Sequence, residues 1–455
     1  MITKKDFGEN FNWGVSTAAY QIEGAHDSDG KGASIWDTFT QKKQHIVLGE
    51  NGKVACNFYE KFAEDIALIR QLNIPIYRFS ISWTRILPDG LGNLNQKGLD
   101  FYNQLIDCCL AAGVIPWVTL YHWDLPEALQ QKGGWVNRSI VQWFSYFVEC
   151  CIKNFGDRVK HWMVLNEPMV FTGAGYFLGV HAPGKKGLSN FLAAAHHATL
   201  CQAEGGRLIR SLCPASKIGT TFSYSHVEPY RPALARDIRA TAKVDVLLNR
   251  MFIEPLLGMG YPTKDLSILN RIERFMKSGD DANLAFEMDF IGLQNYTREL
   301  VKYSPLVPFV NAKIIKASKR KVKHTQMDWE VYPPSIYKAL HRFNSYPAIK
   351  EIIVTENGAA FKDKLLGGKV EDPDRVNYLK DHIEQVLLAK KEGVKVNGYF
   401  IWTLMDNFEW AEGFSPKFGL VHIDFKTQQR IVKSSGKWYA QFLKNELVTP
   451  NALQR

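Results

Sequence analysis

Short apolar runs alternate with longer amphipathic segments from one end of the chain to the other, the rhythm of strands and crossover helices in a parallel sheet. Eight runs read as strands: "FNWGVST" near residue 11, "IPIYRFSISW" from 74, "IPWVTLYHW" from 115, "HWMVLNEP" from 161, "SKIGTTFSYS" from 216, "FIGLQNY" from 290, "EIIVTENG" from 351 and "VNGYFIWTL" from 396. Of the helical stretches between them, "NFYEKFAEDIALIRQL" is the clearest. It repeats Phe58, Phe62, Ile66, Ile69 and Leu72 at steps of three or four. After the last strand, "GKWYAQFLKNEL" predicts a closing helix. Eight strand–helix units over 455 residues predict an α/β fold, a single (β/α)8 (TIM) barrel over residues 1–455. An open doubly wound sheet is disfavoured, because no Gly-rich dinucleotide or phosphate loop follows the first strand. No repeat, low-complexity tract or linker divides the chain.

In such a barrel the active site lies at the C-terminal ends of the strands. Strand one leads to Gln21, strand two carries Arg78, and strand three ends at His122 and Trp123. Strand four ends at Asn166 and Glu167, strand six at Tyr296 and strand seven at Glu356, while strand eight runs into Trp402, Glu409 and Trp410. Each has an ordinary explanation alone, since a strand-end glutamate is commonly a solvated charge and a single histidine commonly structural. Seven of eight strands ending this way is not what independent structural needs produce. No nucleophile elbow, HExxH or CxxC pattern is present, so neither metal nor cofactor is expected. Two carboxylates, neutral donors and aromatic walls remain, the inventory for glycoside hydrolysis. Glu167 and Glu356 are the natural pair. Whether about 5 Å separates them, giving retention, or about 6.5–9.5 Å, giving inversion, stays open at this point.

Composition adds little, except that twelve tryptophans exceed what packing needs and suit the flat apolar faces of sugars. The seven cysteines include two adjacent pairs within helical patterns and show no metal-ligand spacing, which points to reduced, buried thiols. The N-terminus lacks the apolar core of a secretory signal and no apolar stretch is long enough to span a bilayer, so a soluble, cytoplasmic protein without a membrane partner is expected. The net charge of +10 raises nucleic acid as a partner. The basic stretch "NAKIIKASKRKVKH", residues 311–324, would carry that role. Without a recognition motif or stacking aromatics it reads as a solvated loop in an excursion after strand six, and no nucleic-acid partner is expected. Its position before Trp329 would favour anionic groups near the pocket entrance.

Taken in order, "FNWGVSTAAYQIEGA", "YRFSISWTRILPDG", "YHWDLP", "NEP", "IVTENG" and "WTLMDNFEWAEGFSPKFGLVHID" resemble glycoside hydrolase family 1, the β-glucosidase family, over essentially the whole chain. The resemblance implies a retaining β-glycosidase, with a small-molecule β-glycoside as partner and a place in carbohydrate metabolism, including cellulose degradation. Glu167 would act as general acid and then base, and Glu356 as nucleophile. Arg78 and Tyr296 would hold Glu356 ionised, and Asn166 would bind the sugar 2-hydroxyl. Gln21, His122, Glu409 and Trp410 match positions that bind sugar hydroxyls, with Trp123 beside His122 in the same pocket. Trp402 matches the stacking platform, and Phe418 and Trp329 match the sugar rim and the leaving-group entrance. Two positions depart from the common pattern: Val164 stands where Thr is frequent, and Gln294 where Asn is.

The resemblance leaves alternatives within and outside the family. β-Galactosidase and β-fucosidase activity stay open, because epimers differ by one hydroxyl. A 6-phospho-β-glucosidase is disfavoured by Glu409, a carboxylate that would repel a phosphate. A catalytically inactive carbohydrate-binding barrel would be expected to lack one of the two glutamates. Nothing in the sequence bears on the oligomeric state.

Overall fold

The computed structural model describes residues 2–445. Eight parallel strands close into a barrel in chain order: β1 (Asn12–Ser16), β2 (Ile76–Ser80), β3 (Ile115–Tyr121), β4 (His161–Asn166), β5 (Lys217–Ser223), β6 (Phe290–Gln294), β7 (Ile352–Asn357) and β8 (Val396–Trp402). The ring is sealed where β1 pairs with β8, from Asn12 opposite Gly398 to Ser16 opposite Trp402. This is the predicted (β/α)8 barrel, with all eight expected strands in place.

Helices α1 (Phe58–Gln71), α2 (Gln96–Ala111), α3 (Ile140–Phe155), α4 (Leu188–Leu212), α5 (Pro334–Asn344), α6 (Pro373–Lys391) and α7 (Ser434–Leu443) cover the outside of the sheet. Their apolar stripes explain the packing: in α3, Phe144, Phe147, Val148 and Cys151 recur on one face and are all fully buried. The helices expected over 57–72 and 436–447 appear as Phe58–Gln71 and Ser434–Leu443, residues 446 and 447 lying outside the described residues. All seven cysteines are free, and five of them are buried. Among the described residues no helix is long and apolar enough to cross a membrane.

Inside the barrel, alternate residues of each strand point at the axis. The lowest layer is a plug of Ile76, Trp117, Met163, Phe290, Ile353 and Phe400. Room for it comes from glycines on the two remaining strands. A Cβ on Gly14 would fall 2.4 Å from the Phe400 ring, and one on Gly219 would fall 2.4 Å from the Phe290 ring.

Above the plug the alternation is broken on two strands. Counting in twos from Ile353 passes through Thr355 and would turn Glu356 outward, but the register against β6 shifts between Val354 and Glu356. On β4 a shift between Met163 and Asn166 does the same for Asn166. One residue of slip exchanges the faces of a strand, so these irregularities bring both side chains to the axis. Val164 points outward, against the position where a Cβ on Gly205 of α4 would sit. The departure at Val164 therefore concerns helix packing, not the barrel interior.

Loops beyond the C-terminal rim form a small sheet of Ala312–Ile314, Arg298–Tyr303 and His226–Pro229. Half of the basic stretch 311–324 takes regular structure, as that short strand and a helical turn at Ala317–Arg320. Its Arg320 is buried in an ion pair with Glu330 (2.5 Å), and its Lys323 pairs with Asp374 on α6.

Candidate active site

Glu356 ends β7 with each carboxylate oxygen held by a different donor. Arg78 Nη1 of β2 donates to Oε1 (2.5 Å) and the Tyr296 hydroxyl donates to Oε2 (2.6 Å). Arg78 is wholly buried and braced in turn: its Nε donates to Thr119 Oγ1 (3.0 Å) and its Nη2 to Asn166 Oδ1 (2.6 Å). A buried guanidinium with every branch engaged is a fixed positive charge, and it faces Glu356.

Asn166 Oδ1 also accepts from Thr221 Oγ1 (2.9 Å) and Gln294 Nε2 (2.8 Å). Three donors on one oxygen fix which end of the amide is which. The NH2 end must then donate to His122 Nε2, 3.1 Å away. That makes Nε2 the acceptor and puts the ring proton on Nδ1, which is buried without a partner among the described residues. Burial, reinforced by Arg78, holds the ring's pKa well below its ordinary value, so the ring is neutral. The longer arm of Gln294 thus reaches the shared oxygen, and the geometry near strand six is intact.

Glu167 follows directly on β4 in the left-handed region (φ 47°), where its backbone N–H bonds Thr221 O (3.0 Å) and Pro168 starts a short helix. That turn releases its side chain into the cavity instead of along the strand. Burial raises the Glu167 pKa well above the carboxylate range and the charge of Glu356 raises it further, with a hydrogen bond from Ser223 and the charge of Arg78 opposing. Glu356 is raised by burial too, but Arg78 and Tyr296 counteract it, and Glu356 therefore ionises before Glu167. Sequence reasoning expected Arg78 and Tyr296 to work against burial in this way.

A cavity of about 250 Å³ opens above these groups. Ten of the expected residues line it: His122, Trp123, Glu167, Tyr296, Trp329, Glu356, Trp402, Glu409, Trp410 and Phe418. Gln21, Arg78 and Asn166 stand behind the wall, each joined to it by a hydrogen bond. Gln21 Nε2 lies 3.4 Å from Glu409 Oε2 and donates to Phe408 O, while its Oε1 is buried and unpartnered among the described residues. Burial and the charge of Glu356, opposed by Gln21, push the pKa of Glu409 up to about 8. One wall is aromatic, with His122 stacked near Trp402 (5.8 Å between centroids) and Trp123 against Trp410 (4.6 Å). Tyr296, Trp329 and Phe418 form a second aromatic group, which packs in one cluster with Trp402. Orphaned donors and acceptors between flat apolar faces suit a polyhydroxylated ring.

Some lining residues carried no usable signal in the sequence. Strand five, the exception among the eight, contributes Thr221 behind Asn166 and Ser223 beside Glu167. Their signal was only small hydroxyls at a strand end. Val170, His181, Thr297, Glu299 and Glu412 also line the cavity, all from segments that follow the barrel strands. No Lys or Arg does. Within the basic stretch Arg320 turns to Glu330 and Lys323 to Asp374, and the charged residues that line the cavity are acidic.

The model of a family described as Glycosyl hydrolase family 1 matches residues 3–447. A "Beta-glucosidase A" of Thermotoga maritima is 44% identical over 443 residues, covering 97% of this chain and 98% of that protein. A "1,4-beta-D-glucan glucohydrolase" of Thermotoga neapolitana is 43% identical over 447 residues, covering 98% and 100% respectively. Among solved structures, a family 1 β-glucosidase from Thermotoga maritima is similar with a TM-score of 0.94 at 43% identity, over 97% of this chain and 99% of that one.

Proposed function

The chain belongs to glycosyl hydrolase family 1 and is a glycoside hydrolase, and from that premise we propose that it is a retaining β-glucosidase acting on terminal β-D-glucosyl groups. The observation that carries this is the unequal treatment of two carboxyls on one cavity: Glu356 is gripped by Arg78 and Tyr296, while Glu167 is left to burial and to the charge of Glu356. One is suited to attack as an anion and the other to enter the cycle carrying a proton. The names of the relatives support glucose as the preferred sugar.

In the first step Glu356 attacks the anomeric carbon while Glu167 protonates the departing oxygen. Esterification removes the charge of Glu356, which adds to burial in keeping Glu167 protonated. The Glu167 pKa then drops, and Glu167 takes a proton from the incoming water. The Asn166 NH2 and the His122 Nδ1–H are oriented by the network behind them and cost no reorganisation as charge develops on the sugar. Glu409, whose pKa is pushed up by burial and by the charge of Glu356, is placed in the cavity wall to hydrogen-bond sugar hydroxyls. A phosphate in its place would meet no Lys or Arg, since none lines the cavity, and this weighs against phosphorylated sugars. We read residues 1–455 as one domain, because strands from both ends of the chain close the same barrel.

A panel of aryl β-glucosides, β-galactosides, β-fucosides and 6-phospho-β-glucosides tests the reading, with the anomer released followed by NMR. Fastest turnover of the glucoside with β-glucose as first product is expected. α-Glucose as first product would overturn retention, and a preference for another sugar would overturn the glucosidase assignment.

A further inference from the structure

The strand Arg298–Tyr303 leaves the barrel just past Tyr296 and brings Glu299 into the wall of the active-site cavity. The cations around it are already taken. Arg298 pairs with Glu330 (2.8 Å) and Glu228 (2.7 Å), Arg320 with Glu330 (2.5 Å) and Lys338 with Glu228 (2.5 Å). Glu299 itself makes no side-chain hydrogen bond or ion pair among the described residues, although it is partly buried. Its oxygens are not among the sealed, unpartnered polar atoms, so they remain reachable from the cavity.

Position tells which end of a substrate Glu299 meets. Gln21, His122 and Glu409, the hydroxyl-binding set, belong to strands one, three and eight and the segments that follow them. Glu299 comes from a sheet outside the rim, past strand six, beside Thr297. A glucosyl group held over Glu356 therefore extends its leaving group toward it. We propose that Glu299 selects the leaving group, accepting hydrogen bonds from hydroxyl or ammonium groups of the aglycone and turning away aglycones that carry a carboxylate. The inference rests on the glycosidase reading above, since it concerns the departing half of that substrate. An unpaired carboxylate in a partly desolvated wall is an acceptor for donors and a repulsive element for anions. Burial lifts its pKa to about 7, with Arg320 opposing and Glu330 and Asp328 reinforcing, so the anion prevails above neutrality.

The test compares two matched substrates, 4-carboxyphenyl and 4-carbamoylphenyl β-glucoside, at pH 8. The wild type should favour the neutral amide by about tenfold in kcat/KM, the equivalent of one well-placed electrostatic interaction. Relative to the wild type, Glu299→Gln and Glu299→Ala should each remove most of that preference. Comparing ratios between enzymes cancels the intrinsic difference in leaving ability. A readout without any variant accompanies it: 4-hydroxybenzamide should inhibit the wild type more strongly than 4-hydroxybenzoate. Unchanged ratios in both variants, or equal inhibition by the two phenols, would overturn the role of Glu299 alone. Failure of the wild type to hydrolyse any glucoside would overturn the glycosidase reading, and this inference with it.

Discussion

Glu356 and Glu167 differ in what surrounds them, and replacing each should have a different signature. Glu356→Ala should lower kcat by about 10⁴-fold or more on every glycoside, the scale seen when a nucleophile is lost. Glu167→Ala should spare aryl glucosides with acidic phenols relative to alkyl glucosides, because only the latter need the proton; the slope of rate against leaving-group pKa checks this. The pH profile of kcat/KM should be a bell. Its acid limb comes from protonation of Glu356, and its alkaline limb from loss of the Glu167 proton at a pKa raised by burial and by Glu356. Thr221→Val removes one of three donors to Asn166 Oδ1 at nearly constant volume, for about 1 kcal/mol and hence roughly fivefold in kcat/KM. Both glutamates were legible in the sequence because each closes an apolar run. Thr221 was not, because a threonine inside a strand is what any strand prefers, and its partner lies 55 positions earlier.

At the scale of elements, the strands were visible as apolar runs, but the slips within β4 and β7 were not. Period-two counting from Met163 or Ile353 would send Asn166 and Glu356 to the helices. Only pairing with β5 and β6 reveals the extra step. The plug also escaped notice, since Gly14 and Gly219 acquire meaning only when Phe400 and Phe290 are found across from them. Gly14→Ala should therefore cost about 1–3 kcal/mol by overpacking, and pairing it with Phe400→Leu should recover part of that. Thermal denaturation of the single and double variants is the check. The loop sheet outside the rim hangs on Glu330, which receives both Arg298 and Arg320. Glu330→Ala removes the carboxylate partner of Arg320 and leaves Arg298 with Glu228 alone, and should destabilise by about 3 kcal/mol, visible in urea denaturation.

For the whole molecule, the tail after β8 is tied to the barrel by a buried ionic cluster, in which Lys433 donates to Asp406 Oδ1 (2.6 Å) and also binds Asp363. Burial alone would raise the Asp406 pKa, but Lys433, His422 and Arg375 outweigh it and hold the carboxyl well below its ordinary range. A carboxyl whose pKa is depressed by folding stabilises the native state above its unfolded pKa of about 3.9, and that contribution fades as pH falls below it. Asp406→Asn should be destabilised at neutral pH, and its deficit against the wild type should shrink below about pH 4, where Asp406 of the unfolded chain takes up a proton while the native carboxylate stays ionised. Melting temperatures between pH 3 and pH 7 measure it.

The plug of Trp117, Phe290 and Phe400 across the barrel floor has a consequence for traffic. With the floor stopped, both halves of a cleaved glycoside and the water that finishes the cycle must share a single doorway. On the proposed double displacement, the aglycone has to clear that doorway before water can reach the glycosyl-enzyme, and any alcohol waiting there competes with water for the sugar. Crowding the doorway with alcohols should therefore divert the enzyme from breaking glycosides toward making them.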